Sequence, residues 1–172
     1  MINSAPFQLP VEGAFAYLPP IGIRFNALYP QITSGPGGQL VAATGGLIMG
    51  RFGWADIQNT GTATNTRVNS TDRLGVVAPQ YGSWQKVYQA VSAANLNAWF
   101  LRAGLPAVMY ARGGFWARFA GAAQPSQPVY ASLIDGSCIS GYAADAELTP
   151  WFVNSPCGPG ELAIINTWSY FP

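Results

Sequence analysis

The chain reads as all-β: a small barrel or sandwich of short strands and hairpins with an extended Pro-rich N-terminal arm. Three observations lead there. Glycine (20) and proline (14) make up about a fifth of the 172 residues, above the usual share and hostile to long helices. Apolar runs are short, and turn signals interrupt them every ten residues or so, the rhythm of sandwiches and barrels. Helical periodicity shows in one stretch, residues 84–101.

Residues 1–38 form the arm. Pro6, Pro10, Pro19, Pro20, Pro30 and Pro36 interleave there with Phe7, Phe15, Tyr17, Phe25 and Tyr29. Proline fixes φ and removes a donor, which bars this stretch from a central strand or a helix interior. Its aromatics need a surface, either the chain's own core or a neighbouring subunit. Residues 39–172 form a single β-domain.

Within that domain, residues 47–57 read as a strand with glycine bends, and Arg73 to Ala78 as another. Between them, Gln58 to Asp72 is rich in Asn, Thr and Ser and reads as a solvent-facing loop or hairpin tip. Its Asn69-Ser70-Thr71 matches a glycosylation sequon that carries no meaning without secretion. Trp84, Val87, Tyr88, Val91, Ala94 and Leu101 suit a helix face, but Asn95, Asn97 and the β-favouring Trp99 and Phe100 oppose it, so a short helix or turn is expected up to Ala94 and a strand after Asn97. Pro106 to Arg112 and Phe115 to Ala120 flank Gly113-Gly114, a dipeptide suited to the positive φ angles of a tight hairpin. Pro128 to Ile134 and Ser137 to Ser140 flank Asp135-Gly136 in the same way. Trp151 to Val153, after Pro150, pairs with Leu162 to Trp168.

Composition excludes several function classes. Charged residues are 9% of the chain, with one lysine (Lys86), no histidine and a net charge of +1. A surface so poor in charge exposes apolar and neutral polar groups and calls for a neighbour. No basic cluster suits nucleic acid or an anionic membrane, because phosphate binding takes several cations acting together. The start, Met1 to Pro6, lacks the n- and h-regions of a signal peptide. Leu40 to Gly50, the longest near-apolar run, falls short of the roughly 20 residues that cross a bilayer. These features predict synthesis in a cytoplasm, where Cys138 and Cys157 are buried thiols rather than a disulfide.

The absence of histidine removes the usual general base, nucleophile activator and metal ligand together. Two cysteines without CxxC spacing do not build a metal site, and no glycine run leads into a P-loop Lys-Ser/Thr. The chain is expected to need no cofactor. Asp56, Asp72, Asp135, Asp145, Glu147 and Glu161 are the carboxylates from which a glycosidase pair would have to come. Asp135 sits in a turn, Glu161 opens a strand and Asp72-Arg73 reads as an ion pair or loop cap, so no catalytic pair stands out and no enzyme is expected. Trp54, Trp84, Trp99, Trp116, Trp151 and Trp168 offer stacking surfaces for sugars, which leaves a carbohydrate-binding β-domain of a phage or bacterial surface protein as the alternative. The bland reading of scattered tryptophans is core or subunit contact.

Phe100-Leu101-Arg102-Ala103-Gly104-Leu105-Pro106-Ala107-Val108-Met109-Tyr110-Ala111-Arg112-Gly113-Gly114-Phe115-Trp116 resembles the central signature of the structural cement, or head decoration, proteins of tailed bacteriophages. Gly50-Arg51-Phe52-Gly53-Trp54-Ala55-Asp56, Pro128-Val129-Tyr130-Ala131 with Asp135-Gly136, and Gly160 to Trp168 follow in the same order. The sequence departs from the pattern at Ala107, where valine is usual, and at Gly113-Gly114, where an acidic residue is common. The resemblance implies a virion structural protein on the capsid exterior, made in the bacterial host cytoplasm. Its implied partner is the major capsid protein, whose subunit contacts it would stabilise, and it would self-associate as a dimer or trimer at a symmetry axis. Candidate contact residues are Phe7, Phe15, Tyr17, Phe25 and Tyr29 in the arm. Arg51 and Arg112 are possible charged anchors, with a solvated hairpin edge as the alternative for both.

Overall fold

Within residues 31–32, 39–78 and 100–167, which the computed structural model describes, every helix or strand element is a strand. Six form one sheet, in the spatial order β1 (Gln31–Ile32), β8 (Val108–Tyr110), β6 (Arg73–Ala78), β4 (Phe52–Asp56), β5 (Thr62–Thr64) and β2 (Val41–Ala42). Five form a second, in the order β11 (Cys138–Ser140), β10 (Pro128–Ser132), β12 (Ala146–Val153), β13 (Leu162–Asn166) and β9 (Gly114–Arg118). A short pair, β3 (Leu47–Ile48) with β7 (Phe100–Leu101), completes the set. The sheets curl into a half-barrel, and the all-β expectation holds.

The period-two alternation of strands sorts side chains between two cores. Phe52 and Trp54 of β4, Val76 of β6, and Val108 and Tyr110 of β8 face the second sheet. They meet Phe115 and Ala117 of β9, Val129 and Ala131 of β10, Trp151 and Val153 of β12, and Ala163 and Ile165 of β13. Phe52 and Trp151 pack edge to face with centroids 5.3 Å apart, joining the sheets at their centre. The intervening residues Ala55, Val77 and Met109 point the other way and build a smaller core with Leu40, Leu47, Met49 and Ala63. The six-stranded sheet is therefore apolar on both faces, while the five-stranded sheet buries one.

Three sequence expectations need correction. Gly113-Gly114 does not close a hairpin: β8 pairs with β6 and β1, whereas β9 pairs with β13. The glycines instead carry the chain from one sheet to the other, with Gly113 at φ 144°. Both flanking runs have large inward side chains, Tyr110 on one and Phe115 on the other, which pack on each other across the core from separate sheets. Asp135-Gly136 does make its hairpin, with Ala131 opposite Cys138 and Gly136 at φ 68°.

The polar stretch Gln58 to Asp72 is not all loop, because Thr62–Thr64 forms β5, with Ala63 buried opposite Ala55. Three residues with one small apolar side chain carry too little alternation to show as a strand. The third strand pair does form, Phe152 opposite Asn166 and Val153 opposite Ile165, but β12 begins at Ala146 rather than after Pro150. Pro150 is accommodated at a bulge where the β10 register shifts between Pro128 and Tyr130. There the Thr149 hydroxyl donates to the Val129 carbonyl at 2.7 Å, supplying a hydrogen bond that the ladder lacks. The helix or turn expected up to Ala94 lies outside the described residues, and Phe100–Leu101 is a strand.

Candidate interaction surface

The two sheets are locked along one side by polar contacts. Arg51, just before β4, donates from Nη1 to Asp135 Oδ2 at 2.6 Å, and the Phe52 amide donates to the Gly136 carbonyl at 2.8 Å. Burial pushes the Asp135 carboxyl up, but the Ser137 and Ser132 side chains, the Ser137 amide and the Arg51 charge together hold it below the usual carboxylate value. Further along, Glu147 accepts from Trp54 Nε1 at 3.1 Å and pairs with Arg67 at 3.2 Å. The Thr66 hydroxyl donates to the Ile134 carbonyl at 2.7 Å.

These contacts involve several of the candidates. Arg51 is engaged inside the molecule as a clamp between the sheets. Arg112 is exposed in the crossover between β8 and β9 and makes no ion pair among the described residues. Phe7, Phe15, Tyr17, Phe25 and Tyr29 lie outside the described residues. Of the carboxylates, Asp56 caps the turn at Asn59 and Thr60, Asp72 holds the Asn69 amide, and Glu161 accepts from the Gly158 amide at 2.7 Å. With Asp135 and Glu147 in the sheet clamp, five of the six proposed acids have structural partners. Trp54 and Trp151 are fully buried in the core and cannot stack on a sugar. Trp116 is half-buried, and Trp84, Trp99 and Trp168 lie outside the described residues. Cys138 and Cys157 are both buried thiols, and burial pushes the Cys157 thiol up.

The feature that sequence reasoning missed is the outward face of the five-stranded sheet. Along β12 burial alternates strictly: Thr149, Trp151 and Val153 are buried, while Leu148 (59% exposed), Pro150 and Phe152 (37%) face out. Register places Tyr130 opposite Leu148, Phe152 opposite Pro128, and Trp116 opposite Ile164 on that same face. Tyr142, 82% exposed, meets Tyr130 edge to face at 6.3 Å. An antiparallel sheet with one solvated face normally alternates apolar and polar residues; here the outward set along β12 is apolar as well, with the exposed Arg118 of β9 at the margin of the same face. The signal was present in Leu148-Thr149-Pro150-Trp151-Phe152-Val153, but Pro150 hid it by suggesting a strand boundary.

No helix among the described residues is long and apolar enough to cross a membrane, and no group of three or more potential metal-ligating residues occurs among them. No curated protein matches the chain. A family model, that of the XM1 gp53 minor capsid protein, matches residues 27–167, which include every described strand. A charge-poor β-fold, with its carboxylates engaged in structure and an apolar face turned outward, suits a component of a protein shell. The chain belongs to the XM1 gp53 minor capsid protein family and is a phage capsid-associated structural protein of the virion.

Proposed function

We propose that this protein is a cement, or decoration, protein that binds the outer surface of the phage head and stabilises contacts between major capsid protein subunits. The observation that carries the reading is the family match over residues 27–167. The surface supports it: Arg112 is exposed on the crossover and makes no ion pair among the described residues, and Gln31, which follows the aromatic-rich segment in sequence, pairs with Tyr110 close by. Arg112 together with Phe25 and Tyr29, which shortly precede Gln31 in sequence, would give a shell two kinds of contact. Neither needs to be strong, because many weak contacts repeated over a symmetric shell sum to large avidity. Arg51 acts within the subunit, holding the two sheets in the geometry that presents this surface.

Purified chain should co-sediment with emptied heads and raise the temperature at which they lose integrity. Deleting residues 2–30 should abolish that protection, and Arg112→Glu should weaken binding about tenfold, the equivalent of about 1.4 kcal/mol. Failure to co-sediment, or protection unchanged by the deletion, would overturn the reading.

A further inference from the structure

Among the described residues nothing covers the largely apolar outward face of the five-stranded sheet, where Leu148 is 59% and Phe152 37% exposed, and the chain's own N-terminal segment has the chemistry to cover it. From Ala5 to Tyr29 the odd-numbered positions read Ala, Phe, Leu, Val, Gly, Phe, Tyr, Pro, Ile, Ile, Phe, Ala, Tyr. Ser4, Gln8, Glu12, Arg24 and Asn26, including both charges of the first 30 residues, fall on even positions. An extended chain with this sequence has one wholly apolar edge, and the few polar side chains of residues 5–29 all lie on the other, among prolines, alanines and leucines. Five prolines in those 30 residues remove the donors that pairing along a sheet edge would use. Such a segment gains more by laying side chains on a face, and proline-rich chains dock well on aromatic surfaces because little conformational entropy is left to lose.

Dimensions allow it to reach the face of a second copy. The face measures roughly 25 Å each way, from the eight residues of β12 and five strands about 4.8 Å apart. The apolar edge from residue 5 to 29 would extend about 80 Å at about 3.3 Å per residue, some three times the width of the face. Residues 7–17, carrying Phe7, Leu9, Val11, Phe15 and Tyr17, span about 33 Å, enough to cross one face from edge to edge on a slant. The remainder, with Pro19-Pro20 as a stiff spacer, is long enough to bridge to another subunit.

We propose that residues 7–17 of one copy lie across the outward face of the five-stranded sheet of a second copy, over Tyr130, Leu148 and Phe152. Each chain carries one segment and one seat, so the head-to-tail contact can close into a ring with every seat filled. The inference does not rest on the shell reading, because it is tested on the free protein.

Two full-fold variants complement each other in the decisive experiment. One lacks residues 2–20; the other keeps the arm but carries Leu148→Asp and Phe152→Asp, with Leu148→Gln as a milder version should the first fold poorly. By sedimentation velocity the intact chain should self-associate, and each variant alone should do so at least about tenfold more weakly. Mixed, the two should form a 1:1 complex through the one intact seat and the one intact arm. A photo-crosslinker at Leu148 in a mixture of isotopically heavy and light chains should capture a peptide from residues 1–20 of the other copy. Self-association that survives in either variant, a mixture that forms no complex, or capture only within one copy would overturn the proposal.

Discussion

Asn65 is a polar residue from a polar stretch, yet it is 8% exposed and ties together a corner of the six-stranded sheet. Its Oδ1 accepts from the Ile48 amide at 2.6 Å, and its Nδ2 donates to the Phe52 carbonyl at 2.8 Å. Both partners flank the bend at Gly50, where the chain turns from β3 into β4 and leaves backbone groups without ladder partners. Removing a side chain that satisfies buried backbone groups leaves them desolvated and unpaired. Asn65→Ala should therefore cost about 2–3 kcal/mol in urea unfolding, whereas a change at the exposed Asn59 should cost well under 1 kcal/mol. Nothing in Gln58 to Asp72 marked Asn65 apart from its neighbours. Its role comes from backbone groups 13 and 17 residues away, and a linear reading of composition does not show them.

At the scale of elements, the two diglycine-like turns show why one hairpin formed and the other did not. In Asp135-Gly136 the aspartate accepts from the Ser137 amide and hydroxyl, which bends the chain locally. Gly136 then adopts φ 68°, and a Cβ there would stand 2.0 Å from the Phe52 carbonyl oxygen. Backbone strain of about 1–2 kcal/mol for an L-residue in this region adds to the displacement of β4. Gly136→Ala should lower stability by about 3 kcal/mol or more, measured by thermal or urea unfolding, and Gly141→Ala, with open space around it, should lose only the strain. Gly113-Gly114 has no side chain to bond back to the turn, and long-range pairing of β8 with β6 decides its course. Strands β4, β6, β10 and β13 were legible because each couples inward apolar residues to a clear turn. β5 and the first half of β12 were not, since Ala63 is a weak signal and Pro150 a misleading one.

Across the whole molecule, the two sheets share an apolar core but are aligned by a polar seam, and that seam responds to pH. The folded state holds the Asp135 carboxyl below its ordinary 3.8, so below that value the unfolded chain takes up protons first. The resulting stability is present above pH 3.8 and is lost as pH falls through the lowered folded value. Asp135→Asn should flatten the decline in unfolding free energy between pH 5 and pH 2.5; an equally steep decline would show that Asp135 does not contribute. Because charge is scarce elsewhere, few other ion pairs obscure this one.

The sequence by itself determined the all-β class, the hairpin at Asp135-Gly136, the burial of the cysteines and a role without a histidine-based active site. Those properties follow from local φ preferences, period-two patterning and the side-chain types present, all written in consecutive residues. Only the tertiary structure decided that Gly113-Gly114 crosses between sheets, that Arg51 is bound to Asp135 while Arg112 is exposed on the crossover, and that Leu148, Phe152 and Tyr130 form one outward surface. Each of these depends on which distant strand supplies the better-packed partner, and that choice is made by the burial of the whole core rather than by any single run of residues.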